Sequence, residues 1–184
     1  MKTLRLTALS LFALSAALLL SSAATAPAAA DVTVKLTDVH ICCGNCVKGV
    51  ATALAPVTGV KGVADQKTET ITLTAADNTA IQKAVNALTA AGYFGKSSDA
   101  TIKVDATSGA KDGKAQTLDV TGVHLCCAAC VTAVKGALAT VDGVKGDTVA
   151  IKATSFTLTG DFDQASIFAA LHKIGVTGKV ATTK

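Results

Sequence analysis

Residues 33–62 and 117–146 align without a gap at an offset of 84, and 17 of the 30 positions are identical. Duplication at that level means two copies of one small unit, each with its own face to bury. The matched pairs include Val39/Val123, His40/His124, Cys42/Cys126, Cys43/Cys127 and Cys46/Cys130, then Leu54/Leu138, Gly59/Gly143, Val60/Val144 and Lys61/Lys145. Further on, Thr70-Ile71-Thr72-Leu73-Thr74 matches Ser155-Phe156-Thr157-Leu158-Thr159, and Leu88, Gly92, Gly95 and Lys96 match Leu171, Gly175, Gly178 and Lys179. Each copy is about 65–70 residues, a length that folds alone with little margin.

The period of the apolar residues changes in a readable way within each copy. Val34 and Leu36 (Leu118 and Val120) alternate as in a strand that ends at the cysteines. Val47, Val50 and Leu54 (Val131, Val134 and Leu138) fall at helical spacing, and Gly59 (Gly143) turns the chain back. A second strand is expected at residues 60–64, weakly, and in the second copy more clearly at Val149-Ala150-Ile151. Ile71 and Leu73 (Phe156 and Leu158), flanked by Thr, read as a third strand with one buried face. Ile81, Val85 and Leu88 predict a second helix closed by Gly92, as do Ile167, Phe168, Leu171 and Ile174 before Gly175. A last strand is expected within residues 94–104 and 176–182. The order βαββαβ is the split βαβ of ferredoxin-like folds. The expected class is therefore α+β, with two ferredoxin-like sandwiches over residues 31–104 and 117–184. Residues 105–116, holding Thr107-Ser108-Gly109 and Lys111-Asp112-Gly113 without apolar period, read as a flexible linker.

The N-terminus reads as an address. Lys2 and Arg5 precede an apolar run over residues 6–20, and small residues follow as far as Ala28-Ala29-Ala30. This is the layout of a signal peptide spanning residues 1–30 and cut after Ala30. The alternative is an uncleaved anchor, which needs about 20 apolar residues. Cleavage leaves 15 basic against 13 acidic residues, a net charge of +2, and no arginine. With aromatics at 3% and no Trp, the chain lacks the Arg forks and stacking rings of nucleic-acid binders. The expectation is an exported chain, periplasmic or secreted, without membrane insertion after cleavage.

Each copy carries His-x-Cys-Cys-x-x-Cys, namely His40-Ile41-Cys42-Cys43-Gly44-Asn45-Cys46 and His124-Leu125-Cys126-Cys127-Ala128-Ala129-Cys130. Both clusters sit where the first strand gives way to the first helix. Sulfurs of a Cys-x-x-Cys at a helix start can meet on one ion across about 4–5 Å, since a Zn–S bond is about 2.3 Å. The helix N-terminus favours thiolate over thiol. Thiolates are soft ligands, so Cu(I) and Zn(II) are candidates, with Hg(II) by the same softness.

With these residues in view, each repeat resembles a heavy-metal-associated (HMA) domain, the βαββαβ module of copper chaperones, of metal-pumping ATPase arms and of the periplasmic mercury-binding protein. The resemblance rests on Cys43-x-x-Cys46 and Cys127-x-x-Cys130, the Val47/Val50/Leu54 helix, Val57-x-Gly59-Val60 and Ala91-Gly92-Tyr93. It implies one soft ion per repeat, held by Cys43 and Cys46 and by Cys127 and Cys130. It also implies delivery or scavenging rather than catalysis, with a membrane metal transporter or another metal-binding domain as partner. The family usually has Gly-Met-Thr or Gly-Met-Ser before the first cysteine, where this chain has His40-Ile41-Cys42 and His124-Leu125-Cys126. Ile41 and Leu125 can take the place of the buried Met. Cys42, Cys126, His40 and His124 are additional donors, and a Cys₃His set per repeat would favour Zn(II) or three-coordinate Cu(I). Strand alternation, however, can aim Cys42 away from Cys43. Tyr93 is expected to cover the metal loop, and His172, opposite Thr89, to be merely exposed.

Two other readings stand beside this one. Cys-x-x-Cys at a helix start is also thiol–disulfide chemistry, natural in an oxidising compartment. The prolines, however, are only Pro27 and Pro56, neither placed as the cis-Pro of thioredoxin-like enzymes. Inert disulfides in an interaction module are the third reading, and three cysteines per repeat leave one over unless the repeats cross-link. No catalytic residues are assigned: Glu69 is the only Glu, and no Ser/His/Asp spacing repeats.

Overall fold

The computed structural model describes residues 30–105 and 107–182, so the expected leader lies outside the described residues except for Ala30. No helix among the described residues is long and apolar enough to cross a membrane. The first unit runs β1 (Val32–Thr37), α1 (Gly44–Leu54), β2 (Val60–Asp65), β3 (Thr70–Ala75), α2 (Asn78–Ala90) and β4 (Lys96–Ser97). The second runs β5 (Lys114–Thr121), α3 (Ala128–Leu138), β6 (Val144–Asp147), β7 (Ser155–Asp163), α4 (Gln164–Lys173) and β8 (Lys179–Val180). Both sheets are antiparallel and share one topology, β2-β3-β1-β4 and β6-β7-β5-β8, the ferredoxin-like order.

Alternation places Val34 and Leu36 on the buried face of β1, paired with Leu73 and Ile71 of β3. Helix α1 covers that face with Cys46, Val50 and Leu54, and α3 does so with Cys130, Val134 and Leu138. The cysteine therefore belongs to the buried stripe, while Val47 and Val131 flank it half-buried. Asp77 caps α2 by accepting the Ala80 N–H at 2.8 Å, and Asp163 caps α4 by accepting that of Ser166 at 2.8 Å.

Two expectations are corrected here. The second strand of the second unit is Val144–Asp147, the repeat equivalent of β2, and not Val149-Ala150-Ile151. In that loop Val149 is buried while Ile151 is 51% exposed, because the segment packs one residue inward instead of pairing with β7. Strand β5 begins at Lys114, inside the stretch expected as linker, because β7 is long enough to pair Phe162 and Asp163 with Ala115 and Lys114. The preceding residues are tied to the second unit as well. The Val180 N–H donates to the Ser108 carbonyl at 2.8 Å, and the Lys111 N–H donates to the Gln164 side chain at 3.2 Å.

The two units dock through the ends of their sheets near the cysteines. Tyr93 and Val176 form an antiparallel bridge. The Gly175 carbonyl accepts from the N–H groups of His40 (3.2 Å) and Phe94 (3.1 Å), and the Gly92 carbonyl accepts from that of Thr177 (3.0 Å). The contact relates equivalent residues by a pseudo-two-fold. Gly92 and Gly175 are both left-handed, at φ +91 and +73, and each presses on the backbone just before the other unit's cysteine loop. A Cβ on Gly175 would lie 2.3 Å from the Asp38 carbonyl oxygen, and one on Gly92 would lie 2.6 Å from the His124 nitrogen. The buried side chains of both units form one continuous apolar cluster.

Candidate metal centre

Cys43 and Cys127 are the N-cap residues of α1 and α3, and Cys46 and Cys130 follow one turn in, fully buried. Docking brings both helix N-termini to the same place, so all six sulfurs converge there as free thiols. Within each Cys-x-x-Cys the sulfurs are 3.8 Å apart. Cys46 and Cys130 face each other across the pseudo-two-fold at 3.9 Å. Cys42 lies 3.6 Å from its own Cys46, but 3.5 and 3.4 Å from Cys127 and Cys130. Cys126 repeats the pattern, 3.7 Å from Cys130 and 3.5 Å from both Cys43 and Cys46. All four cysteines expected as primary ligands and both additional ones are thus brought together.

The two histidines are only partly equivalent. A ring nitrogen of His40 lies within 4.8 Å of the Cys42 and Cys130 sulfurs, which makes a third donor there. The His124 ring instead packs on Tyr93, with centroids 4.8 Å apart. The Nε2 atoms of both histidines are buried without a hydrogen-bond partner. A buried imidazole nitrogen left unpaired costs about 1–3 kcal/mol, which a bound cation would relieve. Ile41 and Leu125, in the expected place of the family's Met, are core residues, as read from the sequence.

The second layer was only partly legible. Tyr93, expected to cover the metal loop, is buried, and its hydroxyl donates to the Cys46 carbonyl at 2.9 Å. Gln66, in the β2–β3 turn, donates to the Cys42 carbonyl at 2.9 Å, while in the second unit the Lys152 N–H donates to the Leu125 carbonyl at 2.6 Å. Nothing in the sequence marks Gln66, which has no glutamine in the corresponding turn of the second repeat. His172 is corrected: it is half-buried, stacked on Phe94 of the other unit at 4.0 Å between centroids, and its Nε2 lies 3.1 Å from the Thr177 hydroxyl.

The electrostatics of this cluster would favour a bound cation. Two thiolates about 3.6 Å apart repel by about 4–5 kcal/mol at an effective dielectric of about 20, so the bare cluster cannot ionise fully. Burial, together with the Cys130 and Cys127 thiols, pushes the Cys42 thiol far up, and burial also raises Cys126 to about 12. The hydrogen bond between Cys46 and Cys130 is the chief influence on both thiols, raising Cys46 and lowering Cys130. Burial would raise Cys43 too, but the Cys46 N–H, the Cys126 thiol and the Asn45 N–H outweigh it and bring the thiol to about 7.

The shape fits a thiophilic ion. The sides of the Cys43, Cys46 and Cys126 triad, 3.8, 3.5 and 3.5 Å, define a point about 2.1 Å from all three sulfurs, close to the about 2.3 Å of a zinc–thiolate bond. The Cys42, Cys127 and Cys130 triad gives the same distance of about 2.1 Å. A linear two-coordinate ion would need its sulfurs about 4.6 Å apart, further than either 3.8 Å pair offers without movement.

No family model and no curated protein matches the chain. Among solved structures, the chain is similar to the solution structure of the N-terminal soluble domains of Bacillus subtilis CopA at 16% identity and a TM-score of 0.31. The match covers 83% of this chain and 95% of that one.

Proposed function

We propose that this is an exported soft-metal-binding protein built from two HMA-like units, a chaperone or scavenger of Cu(I), with Zn(II) and Hg(II) as competing cargo. One observation carries the reading: six unpaired thiols meet at two helix N-termini, at separations that centre an ion at bonding distance. Cys43, Cys46, Cys127 and Cys130 are the principal ligands, with Cys42, Cys126 and His40 as further donors. His124 is a neighbour of the site. The chain acts by holding and handing over an ion, to a membrane transporter or to another metal-binding domain, rather than by catalysis. The signal-peptide pattern supports a periplasmic or secreted location. Reduced protein titrated anaerobically with Cu(I) should take up about two equivalents at the two sulfur triads. The variant with Ser at Cys43, Cys46, Cys127 and Cys130 should take up none, and unchanged uptake by that variant would refute the reading.

Thiol–disulfide exchange is kept as a second reading because Cys43, half-buried at a helix start, ionises near 7. Catalysed insulin reduction well above the rate of a free dithiol would favour it, and its absence would remove it.

A further inference from the structure

We propose that each Cys-x-x-Cys pair receives its third ligand from the other repeat. Cys42 completes the site at Cys127 and Cys130, Cys126 completes the one at Cys43 and Cys46, and bound thiophilic cations thereby fasten the two units together. This rests on the metal-binding reading above and replaces self-contained sites with two that each span both repeats.

Three observations carry it. The first is distance. The four separations that join Cys42 or Cys126 to the opposite pair are 3.4–3.5 Å, and all are shorter than the 3.6–3.8 Å separations inside either repeat. The second is backbone direction. Cys43 and Cys127 are extended, at φ −160 and −153, so the side chains of Cys42 and Cys43 leave opposite sides of the chain, as do those of Cys126 and Cys127. The additional cysteine thereby reaches the facing repeat at 3.4–3.5 Å, while its sulfur stays only within 4.8 Å of its own neighbour's. The third is that docking is built beside the cluster. Gly175 holds the backbone of His40, two residues before Cys42, and Gly92 presses on that of His124, two before Cys126. His40 travels with Cys42 and sets its ring nitrogen near Cys130 of the other repeat, so the Cys₃His set expected within one repeat is assembled from both. Release of an ion then requires the units to part or an incoming thiolate to displace the crossing ligand.

The test uses the full chain and Cu(I), in competition with a chromogenic chelator under anaerobic conditions. In a Cys43→Ser/Cys46→Ser background, the pair at Cys127 and Cys130 remains. Adding Cys42→Ser should weaken Cu(I) binding by at least about tenfold, since even removal of a group one shell out from a metal costs that much. X-ray absorption should show the sulfur count fall from three to two. Adding Cys126→Ser, in the same repeat as the remaining pair and with its own partner pair already removed, should have much the smaller effect on both. The mirror background, Cys127→Ser/Cys130→Ser, should invert the order, which a general folding defect cannot do. A stronger effect of the same-repeat cysteine, equal effects of both, or loss of all binding in the backgrounds while the wild type binds would overturn the proposal. A wild-type chain that takes up no Cu(I) would instead refute the metal-binding reading itself.

Discussion

Replacing Gly175 with alanine measures how much the docking of the two units contributes. At φ +73 an alanine pays about 1–2 kcal/mol for the left-handed conformation alone. Its Cβ would lie 2.3 Å from the Asp38 carbonyl oxygen and 2.4 Å from the His40 nitrogen, so the facing backbone must retreat by roughly 1 Å to reach ordinary contact. That retreat breaks the two hydrogen bonds accepted by the Gly175 carbonyl, from His40 at 3.2 Å and Phe94 at 3.1 Å, each worth about 1 kcal/mol. The expected loss is about 3–4 kcal/mol. Gly59 is the control: its φ is +75 and nothing lies within 4 Å of the position its Cβ would take. Gly59→Ala should therefore cost only the about 1–2 kcal/mol of backbone strain. Urea unfolding of both variants should show a gap of about 2 kcal/mol, and Cu(I) affinity should fall for Gly175→Ala alone. Equal destabilisation of the two variants would refute the docking described here.

Asp77→Ala removes the N-cap of α2, far from the cysteines, and should cost about 1 kcal/mol in urea unfolding while leaving Cu(I) affinity unchanged. Burial holds the His172 imidazole below its usual 6.5, so the unfolded chain takes up that proton at higher pH than the folded one. Stability should therefore be full above 6.5 and fall as the pH drops below it. His172→Asn should show a shallower decline of the thermal midpoint between pH 7.5 and about 5.5, and identical slopes would contradict the assignment. Metal loading should stabilise the fold: free Cu(I) held about 100-fold above the dissociation constant of a site adds about 2.7 kcal/mol, and a chelator should reverse it. An unchanged thermal midpoint on loading would count against binding to the folded cluster.

How much of this was legible depends on the range of the interactions involved. The βαββαβ order and the buried faces follow from local period, as with Val34 and Leu36 on β1 and Ile81, Val85 and Leu88 on α2. The second strand of the second unit was misplaced because Val149-Ala150-Ile151 has the composition of a strand, whereas pairing with β7 selects Val144–Asp147. The repeat offset, which matches Val60 with Val144, was the better guide. His172 looked idle because its partner, Phe94, lies in the other unit. Gln66 and the Cys42 carbonyl meet only when the hairpin has formed.

The amino-acid order by itself determined two similar units, each with a thiol pair at a helix start, because strand and helix periods and turn-forming glycines act within a few residues. Which sulfurs share a centre was decided only by tertiary structure. Cys42 and Cys127 are 85 positions apart, and they approach to 3.5 Å because Gly92 and Gly175 let two backbones come close enough to exchange hydrogen bonds. A rigid-body contact of that kind leaves no period in either segment to be read.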